Sequence, residues 1–186
     1  TPYKIPLRGS LELEVEDIAT DANGEYLYFD GNVRSVNPYA VSPAISDGKL
    51  VIEGLSSSSV MVYATVTDGH ESTEVAVPIT VNSLPEFAMD LEKTYPQFIR
   101  SEVDMKVLDV EVAQGVDIRV ETGKFFRDVD KDNLTIEAIH FSSPDKVSVS
   151  QEGEDLIFRG LNIGTSVITL NVSDGMQTAV FTINTT

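Results

Sequence analysis

The chain carries one sequence unit twice, and that duplication constrains its folding more than any local motif. Leu50-Val51-Ile52-Glu53-Gly54-Leu55 aligns with Leu156-Ile157-Phe158-Arg159-Gly160-Leu161, and Val66-Thr67-Asp68-Gly69 with Val172-Ser173-Asp174-Gly175, both at a spacing of 106 (156 − 50 and 174 − 68). Pro38 and Pro144 keep that spacing, as do Val75/Val77 and Phe181/Ile183. Further upstream, Leu11/Leu13 align with Ile118/Val120, and Asp21/Asn23/Glu25 with Asp128/Asp130/Asp132, now at 107 (118 − 11 and 128 − 21). Two copies of about eighty residues predict an array of two modules.

Within each copy apolar residues recur at period two, as in Leu11-Glu12-Leu13-Glu14-Val15, Val62-Tyr63-Ala64-Thr65-Val66 and Val75-Ala76-Val77-Pro78-Ile79-Thr80-Val81. That alternation puts one face of a strand in a core and the other in water. Short strands parted by Asp-Gly turns predict antiparallel sheets rather than parallel α/β units. In the second copy, strands are expected near 107–112, 116–120, 134–138, 147–150, 156–158, 167–172 and 179–183. The expected fold class is all-β, with two tandem immunoglobulin-like (cadherin-like) antiparallel β-sandwiches. Their bounds are 1–82 and 107–186, with residues 83–106 as a linker or docked inter-domain segment whose aromatics Phe87, Tyr95 and Phe98 pack against one domain.

Thirty acidic residues against thirteen basic ones leave a net charge of −17. Such a field repels phosphate backbones, so neither nucleic acid nor an anionic membrane surface is an expected partner. No apolar run approaches the roughly 20 residues that span a bilayer, and no signal pattern opens the chain. The sequence therefore reads as a piece of a larger protein. The absence of cysteine removes disulfides, zinc–thiolate sites and thiol nucleophiles together.

The most suggestive chemistry lies in Phe125-Phe126-Arg127-Asp128-Val129-Asp130-Lys131-Asp132-Asn133-Leu134-Thr135. Carboxylates on alternate loop residues can converge and supply the hard oxygens that calcium takes. The stretch is not an EF-hand loop, because Asn133 and Ile139 stand where glycine and glutamate are required. In a simple antiparallel sandwich this loop, the Glu152–Asp155 loop and the Asp174-Gly175 turn share one end. Asp128, Asp130, Asp132 and Asp174 are thus candidate calcium ligands, set against the plainer reading of a solvated acidic loop. The first copy repeats the arrangement more weakly with Asp21, Asn23, Glu25, Asp47 and Asp68.

Phe126-x-Asp128-x-Asp130-x-Asp132-x-Leu134-Thr135, Val147-Ser148-Val149, Leu156-Ile157-Phe158-x-Gly160 and Val172-Ser173-Asp174-Gly175 resemble the cadherin-like and immunoglobulin-like repeats of bacterial surface and secreted proteins, including the dystroglycan-type cadherin-like group. The resemblance covers most of the second copy and, in degraded form, the first. It implies an extracellular or cell-surface sandwich, or a periplasmic one, used in adhesins, spacer stalks or accessory modules of secreted hydrolases, and sometimes binding calcium near domain junctions. The partners it implies are neighbouring repeats and a protein or polysaccharide surface. The first copy departs from it at Asn23 and Gly24, and the segment between the copies is longer than a tight cadherin-type junction.

Catalysis is not expected. His70 and His140 are the only histidines, they fall toward opposite ends of their sandwiches, and no Gly-x-Ser-x-Gly elbow presents a serine. The run Ser56–Ser59 has no accompanying base and reads as loop. Three Asn-x-Ser/Thr triplets, at Asn133, Asn171 and Asn184, read as chance unless the source is eukaryotic. Tyr26, Tyr28 and Phe29 are expected to fill the core of the first domain or its contact with the linker. The alternative is an exposed aromatic row that stacks on sugar rings, which would make the chain an accessory carbohydrate-binding module, although tryptophan, the strongest stacking residue, is absent.

Overall fold

The computed structural model describes residues 1–186, which form two compact units, Thr1–Ser83 and Leu84–Thr186. The first contains β1 (Tyr3–Ile5), β2 (Ser10–Leu13), a helical turn α1 (Val15–Ile18), β3 (Tyr28–Ser35), β4 (Val41–Ser46), β5 (Lys49–Gly54), β6 (Ser58–Thr67) and β7 (Ser72–Val81). One sheet has the order β1-β7-β6-β3 and the other β2-β5-β4. β1 runs parallel to β7 and the remaining pairs are antiparallel. This is an immunoglobulin-like sandwich.

Alternation decides which side of each strand faces inward. On β6, Val60, Val62, Ala64 and Val66 are buried, and on β7 so are Val77, Ile79 and Val81. They meet Leu13, Val41, Leu50 and Ile52 from the second sheet in one core. The outward residues include Tyr63, over whose ring the Arg34 guanidinium sits at 4.1 Å while donating to Glu74.

The second unit contains β8 (Glu86–Phe87), α2 (Leu91–Thr94), β9 (Phe98–Arg100), β10 (Val107–Val110), β11 (Asp117–Glu121), α3 (Thr122–Phe125), β12 (Phe126–Arg127), β13 (Thr135–Phe141), β14 (Val147–Glu152), β15 (Asp155–Gly160), β16 (Ser166–Ser173) and β17 (Thr178–Thr185). Its sheets are β13-β16-β17-β10-β9 and β11-β15-β14, with a further pair β12-β8. β10 runs parallel to β17, as β1 does to β7. On the outer face of the smaller sheet, register places Asp117 directly opposite Arg159. The two form a bidentate pair at 2.6 and 2.7 Å.

The repeated glycine has a structural cause. A Cβ built on Gly160 would lie 2.3 Å from the Ala113 carbonyl oxygen, and one on Gly54 would lie 3.0 Å from that of Pro6. The crossing segment between the two sheets bonds there, Gly115 N–H to Gly160 O at 2.8 Å and Arg8 N–H to Gly54 O at 2.8 Å. Only a residue without a side chain lets the backbones approach so closely.

Residues 84–106 belong to the second unit and are not a separate segment between the two. β8 pairs with β12, and β9 pairs with β10 at the sheet edge. Phe87, Leu91 and Phe98 are core residues, with Phe87 set 4.6 Å from Phe181 and Phe98 5.0 Å from Phe125 between ring centroids. The Tyr95 hydroxyl accepts from Glu121 N–H at 2.8 Å. This segment has no counterpart in the first unit, so the internal repeat carries no information about it.

Leu91 is 0% exposed, and truncating a fully enclosed leucine leaves a cavity. Leu91→Ala should therefore lower the unfolding free energy by about 2–5 kcal/mol, read from chemical denaturation of the whole chain. A loss too small to measure would mean that the segment is not built into the core.

Candidate functional site

The acidic loop of the second unit is suspended from its core. After β11 the chain makes the turn α3, whose Phe125 is wholly buried, and then β12, whose Phe126 packs 4.9 Å from Phe181. Asp128 follows directly. Its Oδ1 accepts from the backbone N–H groups of Asp130 at 2.8 Å and Asp132 at 3.2 Å, while Lys131 N–H donates to the Asp128 carbonyl at 3.1 Å. Asp174, at the start of the β16–β17 turn, is built alike: its Oδ1 accepts from Met176 N–H at 2.8 Å and Gln177 N–H at 2.7 Å. In each case an aspartate side chain satisfies a turn's backbone donors and so fixes its own orientation.

These turns bring Asp128, Asp132 and Asp174 together, with one carboxylate oxygen of each within 4.8 Å of the others. Asp174 is buried and the other two are half-buried. Asp130, the remaining candidate, lies on the same loop but outside that group. The third acidic loop reaches the same end, since one groove is lined by Phe126, Asp128, Asp132, Gln151 and Glu154. Its Asp155 and Glu152 bind Arg119 instead, at 2.9 and 3.4 Å.

Asp128 carries the electrostatic signature of the site. Its Oδ2 is buried without a hydrogen-bond partner. Burial pushes its carboxyl pKa above the ordinary aspartate value; the N–H bonds from Asp132 and Asp130 pull the other way, and the charges of Asp132 and Asp130 add to the rise. Gathering three carboxylates at this spacing costs on the order of a few kcal/mol per charged pair at a partly screened surface. A hard cation relieves that cost. The donor set fits calcium, which takes six to eight oxygens and would complete its shell with carbonyls and water. It suits zinc poorly, since this group offers neither sulfur nor imidazole.

The first unit reproduces the loop but not the donor set. Asp21 Oδ1 accepts from Asn23 N–H at 2.7 Å and Glu25 N–H at 3.1 Å, and Asp68 Oδ1 from His70 N–H and Glu71 N–H, both at 2.7 Å. Here Glu25, Asp68 and His70 converge within 4.8 Å, more exposed than in the second unit. The hydrogen bond and charge of Asp68 hold the Glu25 carboxyl above its usual range, while the N–H groups of Glu71 and His70 hold Asp68 below it. Asp21 and Asp47 do not join this group. His70 is a member that the loop motif does not include; its position two residues after the turn-capping Asp68 is the local signal for it. His140 is exposed at the end of β13.

The aromatics next to this loop part company. Phe29 is buried in the core, whereas Tyr26 is 77% exposed and Tyr28 43% exposed. Of the three, only Phe29 fills the core as expected; the tyrosines do not, and they stack on each other at 6.1 Å with an interplanar angle of 23°. β3 begins only at Tyr28, so strand alternation does not govern Tyr26, and on β3 it turns Phe29 inward and Tyr28 outward.

No protein-family model matches the chain, and no curated protein does. Among solved structures it is similar to the endo-fucoidan hydrolase MfFcnA4 of glycoside hydrolase family 107, at 17% identity and a TM-score of 0.34. That match covers 99% of this chain but 27% of the hydrolase, so the chain spans about a quarter of that protein's length. It is also similar to the titin I-band fragment I67–I69, at 8% identity and a TM-score of 0.42, covering 99% of this chain and 62% of that one. Domains 5–6 of the S-layer protein SbsC match at 13% identity and a TM-score of 0.33, covering 98% and 93%. Likenesses at these scores carry no functional argument.

The raised Asp128 carboxyl gives a signed expectation for the metal-free protein. The folded state holds that proton more tightly than the unfolded chain, so this group's contribution is fully present below the ordinary aspartate pKa and is lost as pH rises through the raised value. Asp128→Asn keeps the Oδ1 acceptor and removes the buried charge. In chelator at about pH 7 the variant should melt higher than the parent, and the difference should vanish on acidification. Calorimetric melts across that pH range measure it.

Proposed function

We propose that this chain is a non-catalytic pair of immunoglobulin-like sandwiches from a larger secreted or surface-exposed bacterial protein, acting as a spacer or adhesion unit. In this reading the second sandwich is locked by calcium, held by Asp128, Asp132 and Asp174, with Asp130 on the same loop. One observation carries the calcium reading: Asp128 keeps a buried oxygen without a hydrogen-bond partner while its carboxylate lies within 4.8 Å of those of Asp132 and Asp174. Protonation or a cation can settle such an oxygen, and near neutral pH the cation is the stronger of the two. The extracellular setting rests on the resemblance of the loop and strand motifs to bacterial surface repeats and on the acidic balance of the chain.

A ligand bound only by the folded state raises its stability, by about 2.7 kcal/mol at a hundredfold excess over Kd. Calcium should accordingly raise the Tm relative to chelator, and Asp174→Ala should abolish the rise. An unchanged Tm in the parent overturns the calcium reading.

A second reading is favoured by the exposed, stacked Tyr26 and Tyr28. The Tyr28 hydroxyl lies 3.6 Å from where a Gly69 side chain would begin, so the pair flanks the Asp68 turn and its polar groups. Stacked tyrosines beside fixed carboxylates offer a sugar both an apolar face and hydrogen-bond acceptors. The net charge of −17 disfavours sulfated or carboxylated chains, leaving neutral polysaccharides. Calorimetric titration with soluble neutral glycans should then show saturable binding that is lost in Tyr26→Ala and Tyr28→Ala. Absence of binding across such a panel removes this reading.

A further inference from the structure

The two acidic loops share one turn but differ at the two residues that control a backbone reaction. In both, the fourth residue donates to the carbonyl of the first: Gly24 N–H to Asp21 O at 3.3 Å, and Lys131 N–H to Asp128 O at 3.1 Å. Both fourth residues have positive φ, 76° at Gly24 and 63° at Lys131. The second unit places Asp130-Lys131 on this turn and the first places Asn23-Gly24. Each other asparagine of the chain precedes a residue with a side chain, so Asn23-Gly24 is the sole Asn-Gly pair. Asn23 and Gly24 are both exposed, and no heavy atom lies within 4 Å of a Cβ position built on Gly24.

We propose that Asn23 is a self-modification site that deamidates in the folded protein and converts the first unit's loop toward the alternating-carboxylate loop of the second. The deprotonated backbone nitrogen of Gly24 attacks Cγ of Asn23, forming a C–N bond and a five-membered imide, while the Cγ–NH2 bond breaks and the nitrogen leaves as ammonia after taking up protons from water. Water then adds to one imide carbonyl. Opening at Cγ yields aspartate with the backbone intact, and opening at the α-carbonyl yields isoaspartate, with the chain rerouted through the side chain. The absent side chain on Gly24 leaves the attacking nitrogen unhindered. Its N–H bond, at 3.3 Å, is long for the group that must be released. Asn is among the residues prone to such chemical ageing.

The two products differ in consequence. An aspartate in place of Asn23, between Asp21 and Glu25, gives the loop a carboxylate at every position that matches Asp128-x-Asp130-x-Asp132. Isoaspartate inserts a methylene into the backbone ahead of Gly24, displaces Glu25 from Asp21 Oδ1 and so pulls it from Asp68 and His70. This inference does not depend on calcium or sugar binding.

The test incubates the whole folded chain at mildly alkaline pH and body temperature, followed by tryptic mapping of the peptide spanning residues 9–34. The expected result is a gain of about 1 Da localised to Asn23 by fragmentation, the change from an amide to an acid, together with isoaspartate detected by isoaspartyl-specific methyl transfer. Gly24→Lys installs the residue that the second unit already accommodates on this turn, and should slow the gain at least about tenfold by restoring a side chain next to the attacking nitrogen. The proposal is overturned if the folded chain shows no gain over a period in which the urea-unfolded chain converts, or if Gly24→Lys converts as fast as the parent.

Discussion

Apolar burial between two facing sheets is the interaction on which each unit depends, because the chain has no cysteine with which to staple them. Each valine, leucine, isoleucine or phenylalanine taken fully out of water contributes about 1.5–3 kcal/mol, set against the entropy of ordering the strands that carry it. In the first unit that burial comes from many small β-branched residues such as Val62, Val77 and Ile79. In the second it is concentrated in aromatics: Phe87, Phe98, Phe125, Phe126, Phe158 and Phe181 are all buried, and ring contacts link all six. A core with larger side chains has room for an additional element, and residues 84–106 supply Phe87, Leu91 and Phe98 to it.

The same packing aims the acidic loop. Phe125 and Phe126 anchor its start, and Val172, on β16, lies two residues before Asp174 in the same core, so the loop leaves the core in a set direction. The two oxygens of Asp128 then serve different ends. Oδ1 binds the backbone of its own turn, and Oδ2 is left buried without a hydrogen-bond partner. In the first unit, Ile18 and Ala19 occupy the places of Phe125 and Phe126, the loop is more exposed, and a glutamate and a histidine replace aspartate and methionine. An identical turn built on a thinner core thus yields a wetter cluster with a different donor set.

Much of this was legible in advance wherever a residue's role is set by its neighbours in sequence. Strand alternation and the Asp-Gly turns depend on local backbone geometry, and the common end of the loops follows from counting antiparallel strands; Gly54 and Gly160 are visible as repeats, but the close approach of Pro6 and Ala113 that requires them comes from the fold. The grouping of Asp128, Asp132 and Asp174 follows from the same counting. What failed to show had a different origin. Asp130 lies on the loop but outside the three converging oxygens, because alternate spacing brings residues to one loop without aiming each side chain at one point. His70 joins Glu25 only through a contact across 45 residues (70 − 25). Tyr26 and Tyr28 face solvent because β3 begins at Tyr28, a boundary that the run of aromatics does not mark.

By itself, then, the amino-acid order determined the duplication, the all-β character and which turns carry carboxylates, since periodicity and turn chemistry are properties of adjacent residues. Tertiary structure alone decided that residues 84–106 complete the second core, that one oxygen of Asp128 is buried without a partner, and that the two copies of one loop present different ligands. Those outcomes depend on what packs against a residue from elsewhere in the chain, and long-range burial leaves no mark in local sequence.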